Sequence, residues 1–205
     1  AAPGGRDRAI FSGQERSKKM TNRRRTLKTA PPEKPMSIKT YLEGIYDYNY
    51  WANHRYLKAA ESLTNEQLFH KQGDGSTSIH GTFLHMLSTE TIWLKRWQGE
   101  APKQELTAID FPSLTGIQNG WVDIEKQMRS FLAAQNDKSL QEDTVCIGFN
   151  GNTFHLLLWQ MMAHVPNHNT HHRSELAAML TLMEIPHLED ETVQYFLIKS
   201  GQRQE

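Results

Sequence analysis

Apolar positions recur at helical spacing through most of the chain after Met36. Tyr41, Ile45, Tyr48 and Ala52 stand three and four residues apart, which predicts an amphipathic helix over about 37–62. Gly73-Asp74-Gly75 then breaks the pattern, and Ser76, Thr77 or Ser78 can cap a second helix that ends near Trp97, before Gly99. Residues 102–112, bounded by prolines, read as a loop. Ser113 is a plausible N-cap for a third helix with Ile117, Trp121, Ile124, Met128, Phe131 and Leu132 on its inner face. The period changes next. Thr144-Val145-Cys146-Ile147 and Asn152-Thr153-Phe154 flank Asn150-Gly151, the dipeptide favoured where both turn positions must accept positive φ. A small, tight β-hairpin is predicted here. A fourth helix follows over about 155–183 and stops before Pro186, and 193–198 forms either a docked strand or a short helix. Four long helices with one crossing connection define an all-α fold, a four-helix bundle with a small β-hairpin before the last long helix.

Charge divides the chain in two. Of 23 basic side chains, ten precede Met36, against three of the 23 acidic ones. The neutral total therefore hides a basic segment on a body with 13 basic and 20 acidic residues. Residues 1–35 show no periodicity and end among Pro31, Pro32 and Pro35. They read as a disordered basic leader that cannot bury enough apolar surface to offset chain entropy, with 36–205 as the folded domain. The acidic body opposes binding to phosphate backbones, so no nucleic-acid partner is expected. No apolar run approaches the roughly 18–20 residues that span a bilayer, so no membrane partner is expected either. A single cysteine, Cys146, excludes an internal disulfide and suits a reducing, cytoplasmic setting. Between Val145 and Ile147 it reads as a small hydrophobe.

The chemistry gathers in His164-Val-Pro-Asn-His168-Asn-Thr-His171-His172-Arg-Ser-Glu175. Residues four apart on a helix sit almost above one another, so His168 and His172 present their rings side by side. A third ligand must come from a facing helix. His85, flanked by Phe83, Leu84, Met86 and Leu87, is the best candidate, because an unsatisfied polar group there is costly. Three neutral imidazoles suit one divalent transition metal (Zn, Ni or Fe) better than Mg or Ca. They also leave a coordination position open, as catalytic zinc sites do. His54, His70, His80, His155 and His187 read as ordinary surface or partly buried histidines.

Three segments carry a resemblance to the DinB family, the DinB/YfiT-like group of metal-dependent proteins. Tyr48-Asn49-Tyr50-Trp51-Ala52-Asn53 is similar to its first-helix motif. Thr82-Phe83-Leu84-His85-Met86-Leu87, with Glu90, Trp93 and Leu94, is similar to its second-helix histidine segment. His164-Val165-Pro166-Asn167-His168 through His171-His172-Arg173 is similar to its fourth-helix motif. The resemblance implies a four-helix bundle, ligand roles for His85, His168 and His172, and a homodimer. It also implies small-molecule chemistry in which some members are thiol transferases or isomerases using low-molecular-weight thiols. Where the family commonly continues Arg-Gly-Gln, this chain has Arg173-Ser174-Glu175. Glu175 can orient a ligand imidazole or act as a catalytic base. Pro166 should kink the last helix just before His168. The function expected is activation of a thiol (S-transferase type) or of water (hydrolase type) at the metal. Thr89 and Tyr48 would line the pocket, and Arg173 would add positive charge. The alternative is a non-catalytic, stress-related bundle with a structural metal and a dimer interface.

Overall fold

Serines start three of the long helices in the same way. Ser37, Ser78 and Ser113 hold extended backbone, and each accepts a 3.1 Å hydrogen bond from the amide three residues on, satisfying one of the helix's orphan donors. In the computed structural model, which describes residues 36–71, 78–186 and 190–204, these helices are α1 (Ile38–Ala60), α3 (Ile79–Trp97) and α4 (Leu114–Ala133). Between the first two lies α2 (Asn65–Phe69), closed by a capping box of Thr64 and Gln67; five residues are too few for apolar periodicity to register. The hairpin β1 (Asp143–Ile147) and β2 (Thr153–Leu157) leads into α5 (Leu158–Leu182), and α6 (Thr192–Lys199) follows. The leader at 1–35, Gly73-Asp74-Gly75, Ser76, Thr77 and His187 lie outside the described residues.

The four long helices form a closed ring of contacts: α5 packs on α1 and α3, and α4 packs on the same two. That is a four-helix bundle, with the hairpin against α3 and α5 and with α6 against α1. Leu42, Phe83, Leu87, Ile117, Trp121, Met162, Val165 and Leu176 fill its centre, each at most 1% exposed. On α4, Gly120 admits the Phe111 ring and Leu87. A Cβ there would lie 2.7 Å from Phe111 Cε1 and 2.9 Å from Leu87 Cδ2.

Three expectations need correction. The inward face of α1 is Leu42, Tyr46, Asn49, Asn53, Tyr56 and Leu57. The predicted line Tyr41-Ile45-Tyr48-Ala52 turns instead toward α6, where Tyr48 and Ala52 pack with Tyr195. Tyrosines on both faces, with asparagines on the buried one, hide the helix's orientation from a hydrophobicity pattern. The hairpin turn is not a tight two-residue one. Ile147 pairs with Thr153, leaving a five-residue loop in which Gly148 N donates to Asn152 O and Asn150 Oδ1 accepts from Asn152 N. Only Gly151, at φ 80°, takes positive φ in it. Finally, His155 pairs with Val145 in the sheet, so the last long helix begins at Leu158.

Candidate metal centre

Helix α5 runs through Pro166 without interruption. Proline has no amide hydrogen, so the carbonyl of Met162, four residues back, loses its helical donor. The buried Tyr46 hydroxyl of α1 supplies the replacement at 2.9 Å. Further along, nearly two and nearly three turns past Met162, the helix presents His168 and His172 toward His85 of α3. The Nε2 atom of His168 lies 3.2 Å from Nε2 of His85 and 3.2 Å from Nε2 of His172. One nitrogen cannot satisfy both contacts as neutral hydrogen bonds, because it carries either one proton or one lone pair. Three lone pairs directed at one cation resolve the conflict. Imidazoles on a tetrahedral ion at about 2.0–2.1 Å have nitrogens roughly 3.3–3.4 Å apart, close to the spacing observed. The donor set therefore fits a divalent transition metal, and these three side chains can hold one.

The surroundings favour neutral rings. Burial, reinforced by the neighbouring His172, His85 and His164, lowers the pKa of His168 to about 4. His172 Nδ1 lies 2.8 Å from Glu175 Oε2. A proton held there by the carboxylate leaves the lone pair on Nε2, the carboxylate–histidine–metal arrangement. The other oxygen of Glu175 lies 3.3 Å from His171 Nε2. His85 Nδ1 has a more distant carboxylate, Glu105, at 3.7 Å. His164 stands one turn before His168, with ring centroids 5.7 Å apart, and packs edge-on against Trp93 at 5.1 Å. Burial lowers its pKa also.

Behind the histidines lies a buried polar network that the hydrophobic pattern does not reveal. Arg173 is fully buried. Nη1 donates to Asn49 Oδ1 and Asn53 Oδ1 at 2.9 and 2.8 Å, Nη2 to Tyr48 and Thr170 hydroxyls at 3.1 and 2.8 Å, and Nε to Asp190 at 3.0 Å. The two asparagines turn their amide nitrogens toward the buried Glu90 of α3, as does Asn169, the residue after His168. Tyr50 donates to the other Glu90 oxygen at 3.0 Å. Two expectations are thereby corrected. Arg173 is committed to the bundle interior rather than to the metal's open side. Tyr48 is 5% exposed, bound to Arg173 and packed on Trp51 and Tyr195, so it lines no pocket at the histidines. The asparagines of the Tyr48–Asn53 motif were the available signal: two amides one turn apart among aromatics are structural when buried.

Burial raises the Glu90 pKa to about 7, against the pull of its donors. The unfolded carboxyl ionises near 4.5, so between these values the unfolded chain binds fewer protons and stability falls as pH rises. The loss is complete above pH 7 and amounts to about 3 kcal/mol. Glu90→Gln keeps the acceptor but does not titrate. Its stability relative to the parent should climb across pH 4.5–7 and then level off. Urea unfolding of both proteins across that range measures this, and a pH-independent difference would mean that Glu90 is ionised throughout.

The other candidates sit elsewhere. Cys146 is buried, with Sγ 3.2 Å from Met161 Sδ. His80 contacts the Phe111 carbonyl, His54 pairs with Glu125 and His155 with Asp143. A cavity of about 720 Å³ between α1 and α6, lined by Met36, Tyr41, Ile45 and Phe196 among others, does not include the histidines. Among the described residues no helix is long and apolar enough to cross a membrane.

A four-helix bundle whose facing helices bring together three histidines able to hold a metal ion is the class of protein defined here. The chain belongs to the DinB family, whose family model matches residues 36–187. Its fold is similar to that of a solved DinB-like protein from Bacillus cereus ATCC 10987. The two are 16% identical, with a TM-score of 0.50 over 72% of this chain and 95% of that one. No curated protein matches the chain.

Proposed function

We propose that this DinB-family protein is a metal-dependent enzyme in which His85, His168 and His172 ligate one divalent ion (Zn, Ni or Fe) through Nε2. The convergence of those three nitrogens, with two separations of 3.2 Å, is the observation that carries the reading. An ion with three neutral protein ligands supplies Lewis acidity, favouring thiolate over thiol and lowering the pKa of water. The residues do the rest. His168 stays neutral because it is desolvated. Glu175 acts as a positioning residue: it faces Nδ1 of His172, on the opposite side of the ring from the converging nitrogens. Glu175→Ala should therefore weaken metal binding by about 10- to 100-fold while leaving the fold intact. Metal competition titration with circular dichroism checks both parts.

Transfer from a low-molecular-weight thiol to a small electrophile is the preferred reaction, and hydrolysis is its close variant. The test is to load the protein with Co(II) and titrate it with cysteine and glutathione. Direct sulfur ligation should produce a new charge-transfer band. A spectrum unchanged at millimolar thiol would remove the transferase reading in favour of water activation.

A further inference from the structure

Arg96, near the end of α3, is 8% exposed. Its guanidinium lies 5.1 Å from the centroid of the Trp93 ring and 5.1 Å from that of Phe149 in the hairpin loop. No carboxylate pairs with it among the described residues, and its Nε is buried without a hydrogen-bond partner. The ionisable neighbour it does have is the Cys146 thiol, which burial pushes toward the neutral form. Two cation–π contacts hold the guanidinium in place, and among the described residues no anion faces it.

Its position says where that anion would come from. Arg96 follows His85 by eleven residues, which places it within about 20° of the same helix face and roughly 16 Å further along the axis. Side chains lean toward the helix N-terminus, so the guanidinium lies over Trp93, on the side nearer His85. Trp93 packs edge-on against His164 at 5.1 Å and against Phe154 at 6.0 Å, and His164 adjoins His168. An aromatic track thus joins the three histidines to the unpaired cation. The acidic body repels anions in general, and Arg173 is already spent on the interior.

We propose that Arg96, held between Trp93 and Phe149, recognises an oxyanion, either carboxylate or phosphate, at the far end of an elongated ligand whose other end reaches the three histidines. The proposal rests on the thiol reading only for what occupies the metal.

The test uses Co(II)-loaded full-length protein and two matched thiol pairs. Glutathione against its diethyl ester tests carboxylate. Phosphopantetheine against pantetheine tests phosphate. In the parent protein, one free-anion form should bind at least tenfold tighter than its neutral counterpart, as read from the charge-transfer band. Arg96→Met should abolish that preference and leave the neutral form's affinity unchanged. Equal binding within both pairs, or a preference that survives in Arg96→Met, overturns the subsite while the band itself upholds the thiol reading. If no thiol produces a band, or if Arg96→Met does not fold, the Arg96 Nε–H resonance decides. That signal, assigned by its loss in Arg96→Lys, should shift saturably when inorganic phosphate or acetate is added to the parent protein. An unmoved signal overturns the proposal.

Discussion

Alanine at His85, His168 or His172 should each strip the protein of most of its bound metal, while alanine at His164 or His171 should leave the content near that of the parent. The three nitrogens that meet belong to the first set. His164 packs on Trp93 one turn away, and His171 meets Glu175 and the edge of the His172 ring without joining the converging nitrogens. Loss of one ligand in three must cost more affinity than the about 10- to 100-fold attached to an outer partner. Elemental analysis after gel filtration measures the effect. His85→Ala is the decisive variant because it alone samples the contribution of α3. If it kept a full complement of metal, the site would belong to α5 alone, and the group His171, His172 and Glu175 would become the candidate.

The parts of this protein that depend on local sequence are legible in the sequence itself. Serine caps, the four-residue spacing of His168 and His172, and an apolar helix interrupted by His85 are short-range signals, and the bundle follows from them. What was not legible depends on partners distant in sequence. The buried face of α1 carries Asn49 and Asn53, which are tolerable inside only because Arg173 and Glu90 complete their hydrogen bonds from two other helices. Hydropathy scores those positions as surface, and so the predicted stripe was displaced onto the α6 side. Pro166 predicts only a kink in the last helix, and nothing near it in sequence shows that Tyr46, 116 residues earlier than Met162, caps the freed carbonyl. Asn150-Gly151 signals the hairpin but not the length of its turn. Cross-strand register, which sets loop length, instead gave Gly148 and Asn152 to the loop.

Arg173→Met should be the most destabilising single substitution away from the metal. All five guanidinium hydrogens are matched by five acceptors, on Asn49, Asn53, Tyr48, Thr170 and Asp190, which is the full capacity of the group. Methionine fills a similar volume but donates nothing. It leaves two buried amide oxygens and the Asp190 carboxylate without this partner. Breaking a buried charged pair from one side costs about 3–5 kcal/mol, and for a chain of this size each kcal/mol lowers Tm by about 2–4 °C. A fall of roughly 6–20 °C is therefore expected. Arg173→Lys should recover only part of it, since an ammonium has three donors and lacks the planar fork. Thermal unfolding of metal-free protein isolates this effect from the histidine site. The Asn49 and Asn53 amides also bind Glu90, and Glu90 holds Asn169 beside His168. The same variant should therefore loosen the metal-bearing turn and lower metal affinity in the molecules that remain folded. A variant within about 1 kcal/mol of the parent would mean that packing around Arg173, rather than its hydrogen bonds, holds α5 against α1.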